Sequence, residues 1–141
     1  MQSSGYSTRP LAAKLGLKPG MRALLVDAPA GYLETLGDIA AQITLCDTGM
    51  NRLDFIQLFA TDAATLAKLL PSLVAALAPS GALWLCWPKL AAKRPTDLRE
   101  QAVRETGLAA GLVDVKVAAI DATWSGLKFV YRLRDRDSQS G

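Results

Sequence analysis

Histidine is absent from this chain of 141 residues, and cysteine occurs only twice. Without histidine, neither a Ser-His-Asp nor a Cys-His catalytic mechanism is available. Cys46 and Cys86 lie in apolar runs and lack a Cys-x-x-Cys spacing, so they are typical of buried thiols rather than of a disulfide or a metal site. The sequence therefore predicts no metal, and it excludes the commonest forms of nucleophilic catalysis.

Long apolar runs and a strong charge imbalance are missing too. No apolar run approaches the roughly 18 residues of a membrane span, and residues 1–20 lack the apolar centre of a signal peptide. The 16 Lys and Arg residues against 13 Asp and Glu residues leave a net charge of +3, with the cations spread along the chain. We therefore expect a cytoplasmic protein without membrane contact, for which nucleic acid is an unfavoured partner.

Hydrophobic residues make up 50% of the chain and charged residues 21%, which is typical of a folded protein with a substantial core. The length fits one domain. We assign that domain to residues 1–133, and it includes an N-terminal extension, 1–20, with a short helix. The polar residues 134–141 predict a disordered tail.

Apolar patterning predicts alternating strands and helices, and hence the α/β class. Apolar runs predict strands over 22–27, 42–47, 54–60 and 82–87. Helices are predicted from Thr8 or Arg9 to Gly16, over 32–36, from Asp62 to Leu77 with a kink or a stop near Pro71, and from Thr96 to Gly111. Residues 78–81 predict a turn, and strands over 113–120 and 124–133 predict an antiparallel C-terminal hairpin.

Three segments add detail to this order of elements: 53–56 (Leu-Asp-Phe-Ile), 76–84 (Ala-Leu-Ala-Pro-Ser-Gly-Ala-Leu-Trp) and 111–113 (Gly-Leu-Val). With that order, they resemble the class I methyltransferase version of the Rossmann fold. The resemblance implies a three-layer sandwich around a mostly parallel sheet, with the final strand inserted antiparallel between its neighbours. The connection 48–53 is too short for a further strand and crossover helix, which indicates a reduced topology.

Further motifs cover nearly the whole chain: Gly5-Tyr6-Ser7, Pro10-Leu11, Lys14-Leu15-Gly16, the run from Gly31 to Gly37, Trp87-Pro88-Lys89, the run from Pro95 to Leu98, and Asp121 with the run from Thr123 to Phe129. Together they resemble a family of small bacterial proteins known as a domain of unknown function. That resemblance implies a bacterial source and no particular activity.

The loop after the first strand bears on the cofactor. Methyltransferases of this class carry a glycine-rich turn there, which lets the backbone approach S-adenosylmethionine closely. In this chain residues 27–31 hold one glycine, and Pro29 has no amide donor. Glu34, in the first turn of the next helix, would repel a nucleotide phosphate. S-adenosylmethionine is therefore possible by resemblance, although its motif is absent.

Ligand-binding candidates occur mostly where strands end, because open α/β sheets bind ligands at that edge. They are Asp27, Tyr32, Asp47, Trp87, Lys89 and Lys93. Three of them have a structural alternative: Asp47 as a turn residue beside Gly49, Trp87 as a core residue, and Lys89 as a solvated cation. No catalytic residue is predicted.

We therefore expect a non-catalytic, methyltransferase-like domain that binds a small ligand or a protein partner at the carboxyl edge of the sheet. One alternative is an active enzyme that uses S-adenosylmethionine or a nucleotide in a modified pocket. A second alternative is a weak nucleic-acid-binding module that uses Trp87, Lys89, Lys93 and Arg94.

Overall fold

The computed structural model describes residues 10–133 and 135, which form a six-stranded sheet with helices on both faces. The strands are β1 (Arg22–Val26), β2 (Thr44–Leu45), β3 (Leu53–Phe59), β4 (Leu77–Pro88), β5 (Leu112–Ala119) and β6 (Trp124–Tyr131). The helices are α1 (Leu11–Leu15), α2 (Tyr32–Leu36), α3 (Ala63–Ala76) and α4 (Glu100–Ala109), with 3₁₀ turns at Gly37–Ala41 and Leu90–Ala92. The predicted helix cap at Thr8 or Arg9, the motif Gly5-Tyr6-Ser7 and the predicted tail, except Asp135, lie outside the described residues.

The strand order is β2-β1-β3-β4-β6-β5. Strands β1 to β4 pair in parallel, whereas β6 is antiparallel to both β4 and β5. The predicted Rossmann-like α/β sandwich with a C-terminal antiparallel hairpin is therefore confirmed, including the insertion of the last strand between its neighbours. A short loop leads from β2 to β3, as the reduced topology requires.

Alternating side chains of β4 contribute to two cores, one on each face of the sheet. Leu83 and Leu85 pack with α3 and α4, and Trp84 and Cys86 pack with α1 and α2. Trp84 is completely buried, and its indole Nε1 donates a hydrogen bond to the carbonyl of Leu15 at 3.1 Å. This bond fixes α1 against the centre of the sheet.

The predicted start of α4 at Thr96 is wrong, since the helix begins at Glu100. Asp97 instead accepts a hydrogen bond from the amide of Ala63 at 2.8 Å, at the first residue of α3. It complements the predicted cap Asp62, whose carboxylate accepts from the amide of Thr65 at 2.9 Å. The polar residue that looked like a local cap therefore serves a helix distant in sequence.

The predicted turn at 78–81 is instead part of β4. Leu77 pairs with Leu53 and Ala82 with Phe55, so β4 advances from 77 to 82 while β3 advances only from 53 to 55. The extra residues bulge out of the ladder. A Cβ atom at Gly81 would lie 2.7 Å from the carbonyl oxygen of Leu53, so this close approach requires glycine.

Two other elements differ from their predicted extents. Helix α3 continues through Pro71 to Ala76, so the helix does not stop near Leu70. Strand β2 has two residues instead of six, and it lies at the edge of the sheet, where it pairs only with Arg22 and Ala23. Because β2 lies at the edge, it pairs with one neighbouring strand only, and most of the predicted strand 42–47 forms no ladder.

Candidate functional site

A tight loop joins the carboxyl end of β1 to α2. Two of its residues have left-handed backbone angles, Asp27 with φ 58° and Gly31 with φ 78°. Asp tolerates this conformation better than most residues do, and Gly adopts it without strain. The amide of Tyr32 donates to the carbonyl of Pro29 at 3.1 Å, which closes the turn as α2 begins. The loop therefore places Pro29 as a ridge at the end of β1.

One cleft lies on the β2 side of this ridge and has a volume of about 520 Å³. We call it the apolar cleft. Its walls are mainly hydrophobic, with the following residues: Leu25, Ala28, Pro29, Gly31, Tyr32, Leu33, Glu34, Leu45 and Cys46. Leu33 and Leu45 remain 41% and 48% exposed, so two large apolar side chains face solvent around one concave surface. Glu34 contributes the only carboxylate among these lining residues.

A second cleft lies on the other side of Pro29, has a volume of about 350 Å³, and is here called the polar cleft. Its walls carry charge and hydroxyl groups, from the following residues: Asp27, Pro29, Phe59, Ala60, Thr61, Thr65, Arg94 and Trp124. The guanidinium carbon of Arg94 lies 5.3 Å from the ring centroid of Trp124, within cation–π range. This contact holds a residue of the basic 91–95 loop over the start of β6.

A buried polar network supports the floor between the clefts. The hydroxyl of Tyr32 donates to Oε1 of Gln57 at 2.8 Å, and Nε2 of Gln57 contacts the sulfur of Cys86 at 3.4 Å. Gln57 is completely buried. Burial raises the pKa of the Tyr32 hydroxyl well above its usual range and raises the pKa of the Cys86 thiol to about 12. Both groups are therefore neutral at physiological pH, so they serve as hydrogen-bonding groups and not as bases.

An edge-to-face aromatic row connects the walls of the two clefts. The rings of Tyr32 and Phe59 have centroids 5.0 Å apart at an interplanar angle of 75°. Phe59 and Trp124 follow at 5.2 Å and 89°. Such T-shaped pairs are favourable beyond their buried area. Together with Gln57, this row fixes Tyr32, so one wall of the apolar cleft is rigidly supported.

Two of the six sequence candidates line the clefts. Asp27 is exposed in the polar cleft, and Tyr32 is buried behind the apolar cleft, on opposite sides of Pro29. Trp87 is 5% exposed and packs in the core beneath α3 and α4, on the other face of the sheet from Tyr32.

The remaining candidates do not line either cleft. The amide of Lys89 donates to the carbonyl of Thr123 at 2.7 Å, and Lys93 is exposed with φ 55°. Asp47 is exposed in a turn closed by the amide of Met50. Asp47 directly follows Leu45 and Cys46, which line the apolar cleft, but it is not itself among the lining residues.

Several residues of the site have no strong signal in the sequence. Gln57 was detectable as the one amide inside the apolar run of β3, although its partner was not. Arg94 was predicted only as a contact of the alternative nucleic-acid-binding module, and not as a ligand candidate. Leu45 lines the apolar cleft because β2 is an edge strand, which depends on pairing between distant segments.

Within the described part of the chain, no group of three or more His, Cys, Asp or Glu side chains is arranged to hold a metal ion. None of the helices in residues 10–133 has the length and apolar character needed to cross a membrane.

The same fold occurs in solved methyltransferase structures. A SAM-dependent methyltransferase from Aquifex aeolicus superposes with a TM-score of 0.55 and 17% identity over 84% of this chain and 86% of its own. Magnesium protoporphyrin IX methyltransferase from Synechocystis with bound SAH gives 0.59 and 11%, over 86% and 78%. The Burkholderia thailandensis 1,6-didemethyltoxoflavin-N1-methyltransferase gives 0.56 and 15%, over 86% and 76%.

No protein-family model and no curated protein matches the sequence. At these identities the similarity to solved structures establishes the fold, a methyltransferase-like α/β sandwich, and does not establish an activity.

Proposed function

We propose that this protein is a non-catalytic, methyltransferase-like domain that binds a small, mostly apolar ligand without phosphate groups. The observation that carries the proposal is the apolar cleft at the carboxyl end of β1, where open α/β sheets commonly bind ligands. Exposed apolar side chains that gather around one concave surface often mark a ligand-binding groove. Leu33 and Leu45 do so here.

The charge of the cleft favours a neutral or cationic ligand. Glu34 lies in the first turn of α2, where its carboxylate already occupies the favourable field of the helix N-terminus. Its Oε1 is 3.6 Å from the position that a Cβ atom at Gly31 would take, so the carboxylate folds back over the loop. A phosphate or carboxylate brought to this position would be repelled.

The residues present do not fit S-adenosylmethionine, the cofactor that the fold implies. Its methionine part carries a carboxylate, and the residues that line the cleft include no Lys or Arg that could pair with it. Pro29 removes one backbone donor from the loop, and Gly31 is the single glycine between Asp27 and Tyr32. The direct connection from β2 to β3 also lacks the strand and helix against which an adenosine would rest.

The hydroxyl group that lines the apolar cleft is poorly suited to proton transfer as well. Tyr32 is the only hydroxyl residue that lines the apolar cleft, and its oxygen is bonded to Gln57 in the core. Burial raises its pKa, which makes ionisation at neutral pH unfavourable. These features support binding rather than catalysis.

The test is a fluorescence titration with the neutral dye Nile red. Leu45 and Val117 are 48% and 47% exposed, and both lie on edge strands, but only Leu45 lines the apolar cleft. We expect Leu45→Lys to weaken binding about tenfold, because it replaces an apolar contact worth about 1.5 kcal/mol with a charge. Val117→Lys is the matched control and should leave the affinity unchanged. Equal loss in both variants, or no saturable binding by the unmodified protein, would exclude the cleft.

Competition separates this proposal from a cofactor-using enzyme. ATP should fail to displace the dye at millimolar concentration because Glu34 repels its phosphates, and S-adenosylmethionine should fail because Pro29 leaves the loop without one backbone donor. Displacement by either compound, lost in Leu45→Lys, would instead favour an enzyme with a modified pocket.

A further inference from the structure

Two lysines stand directly opposite each other on the C-terminal hairpin. Lys116 of β5 pairs with Lys128 of β6, so their side chains share one face of the sheet. Like charges directly opposite on neighbouring strands are destabilising. Both side chains point toward α1: the ammonium of Lys116 donates to the carbonyl of Lys14 at 2.9 Å, and that of Lys128 lies 3.7 Å from where a Cβ atom at Gly16 would be.

The carboxyl end of α1 compensates for only one of the two charges, because the carbonyl of Lys14 accepts from Lys116 and no carbonyl of the described residues accepts from Lys128. A helix C-terminus can stabilise cations through its free carbonyl groups. Here the last four carbonyls of the helix each accept a hydrogen bond already: that of Ala12 from Leu17, that of Ala13 from Gly16, that of Lys14 from Lys116, and that of Leu15 from Trp84. Lys128 is therefore not required as a helix cap.

No acidic side chain forms an ion pair with Lys116 or Lys128, within residues 10–133 and 135. The ion pairs in this part of the chain join Arg104 to Glu100 and to Asp114, on α4 and the start of β5. Lys128 is partly buried, and burial together with the nearby charges of Lys116 and Lys18 lowers its pKa. Lys128 lies beside Gly16, and Lys18 follows Gly16 by two residues, so three cations lie close to this end of α1, and none of them forms an ion pair within the described residues.

We propose that Lys18, Lys116 and Lys128 bind the phosphoryl group of a small ligand. A phosphoryl dianion places its oxygens between several ammonium groups and removes the repulsion within the pair of lysines. The site lies over β5 and β6, at the opposite edge of the sheet from the apolar cleft, and it stands independently of the function proposed for that cleft.

The test is thermal unfolding of the full chain in low-millimolar phosphate, compared with sodium chloride of equal ionic strength. Binding to the folded state should raise the Tm of the unmodified protein by about 3 °C or more at saturation. Lys128→Met keeps the aliphatic stem and removes the charge, so its Tm should not respond to phosphate. Lys68→Met, at an exposed lysine on α3, is the matched control and should respond like the unmodified protein.

A second feature of the same experiment separates a binding site from general salt effects. Without phosphate, Lys128→Met should be more stable than the unmodified protein, since it relieves the repulsion with Lys116. An equal response to phosphate in Lys128→Met, or an equal effect of chloride and phosphate on the unmodified protein, would overturn the proposal. Should Lys128→Met not fold, the exposed Lys18→Ala gives the same comparison.

The source of the phosphoryl group is tested with a single-stranded oligonucleotide. A site for a small ligand predicts that inorganic phosphate displaces the oligonucleotide. Tight oligonucleotide binding with a steep salt dependence, resistant to phosphate, would indicate a nucleic-acid surface and contradict the proposal.

Discussion

Replacing Tyr32 by phenylalanine tests the claim that a buried hydrogen bond fixes the wall of the apolar cleft. The substitution removes one oxygen atom and leaves the aromatic contact with Phe59 in place. Oε1 of Gln57 then loses its donor at a position that is completely inaccessible to water. An unsatisfied buried group of this kind costs about 1–3 kcal/mol. For a domain of this length, that corresponds to a fall in Tm of roughly 3–10 °C.

A double-mutant cycle supplies the control. Gln57→Leu alone leaves the Tyr32 hydroxyl and the Cys86 sulfur without their hydrogen-bond partner, so it should also destabilise the fold. Tyr32→Phe combined with Gln57→Leu removes both members of the bond, and such paired replacement by apolar groups is nearly neutral. The double variant should therefore be less destabilised than the sum of the single variants, by about 1 kcal/mol or more.

Urea unfolding followed by the fluorescence of the three tryptophans measures all four proteins under one condition. Additive effects would refute the coupling between Tyr32 and Gln57. A Tyr32→Phe variant within about 0.5 kcal/mol of the unmodified protein would show that the hydroxyl contributes little to stability.

Two further predictions concern packing and pH. Gly107→Ala should lower Tm although alanine favours helices, because its Cβ atom would overlap the ring of the buried Phe129. Overpacking costs about 1–3 kcal/mol against a gain of about 1 kcal/mol, and a higher Tm would refute this placement of α4. Burial raises the pKa of Cys86 to about 12 from an ordinary 9.0, so the stability it contributes is complete below pH 9 and lost as the pH rises toward 12. Cys86→Ala should reduce the fall in Tm between about pH 8 and 11, whereas an unchanged profile would contradict the buried, neutral thiol.

Local patterns in the sequence were sufficient for most elements of the fold. The apolar run around Leu24 predicted a central strand, and the cap at Asp62 predicted the start of α3. The segment 32–36 predicted α2 with the bounds that the structure has. These features depend on periodicity and on caps close in sequence, so no knowledge of tertiary contacts was needed.

Features that depend on distant pairing could not be predicted in this way. Asp97 is of a residue type that commonly caps helices, but the amide that it accepts from belongs to Ala63 of α3, 34 residues away in sequence. Gln57 is recognisable as polar, whereas its bond to Tyr32 requires the packing of α2 on β3. The apolar cleft forms because β2 is short and lies at the edge of the sheet. Both features depend on how β2 pairs with β1, and local sequence does not show this pairing.

The six ligand candidates show the same division. Asp27 and Tyr32 flank Pro29 because the loop itself brings them to the end of β1. Trp87 ends a strand as well, but the alternation of β4 turns its side chain into the core beneath α3. Position at a strand end therefore predicts the edge of the sheet that a residue reaches, and not the face on which its side chain lies.

Calorimetric titration of the full chain with S-adenosylhomocysteine tests the central claim most directly, namely that a methyltransferase-like scaffold here carries a cleft for a different ligand. With Pro29 in the loop and Glu34 on the wall, we predict no saturable heat at millimolar concentration. A saturable isotherm that is weakened in Leu45→Lys and unchanged in Val117→Lys would contradict that claim, because it would place the methyltransferase cofactor in the apolar cleft.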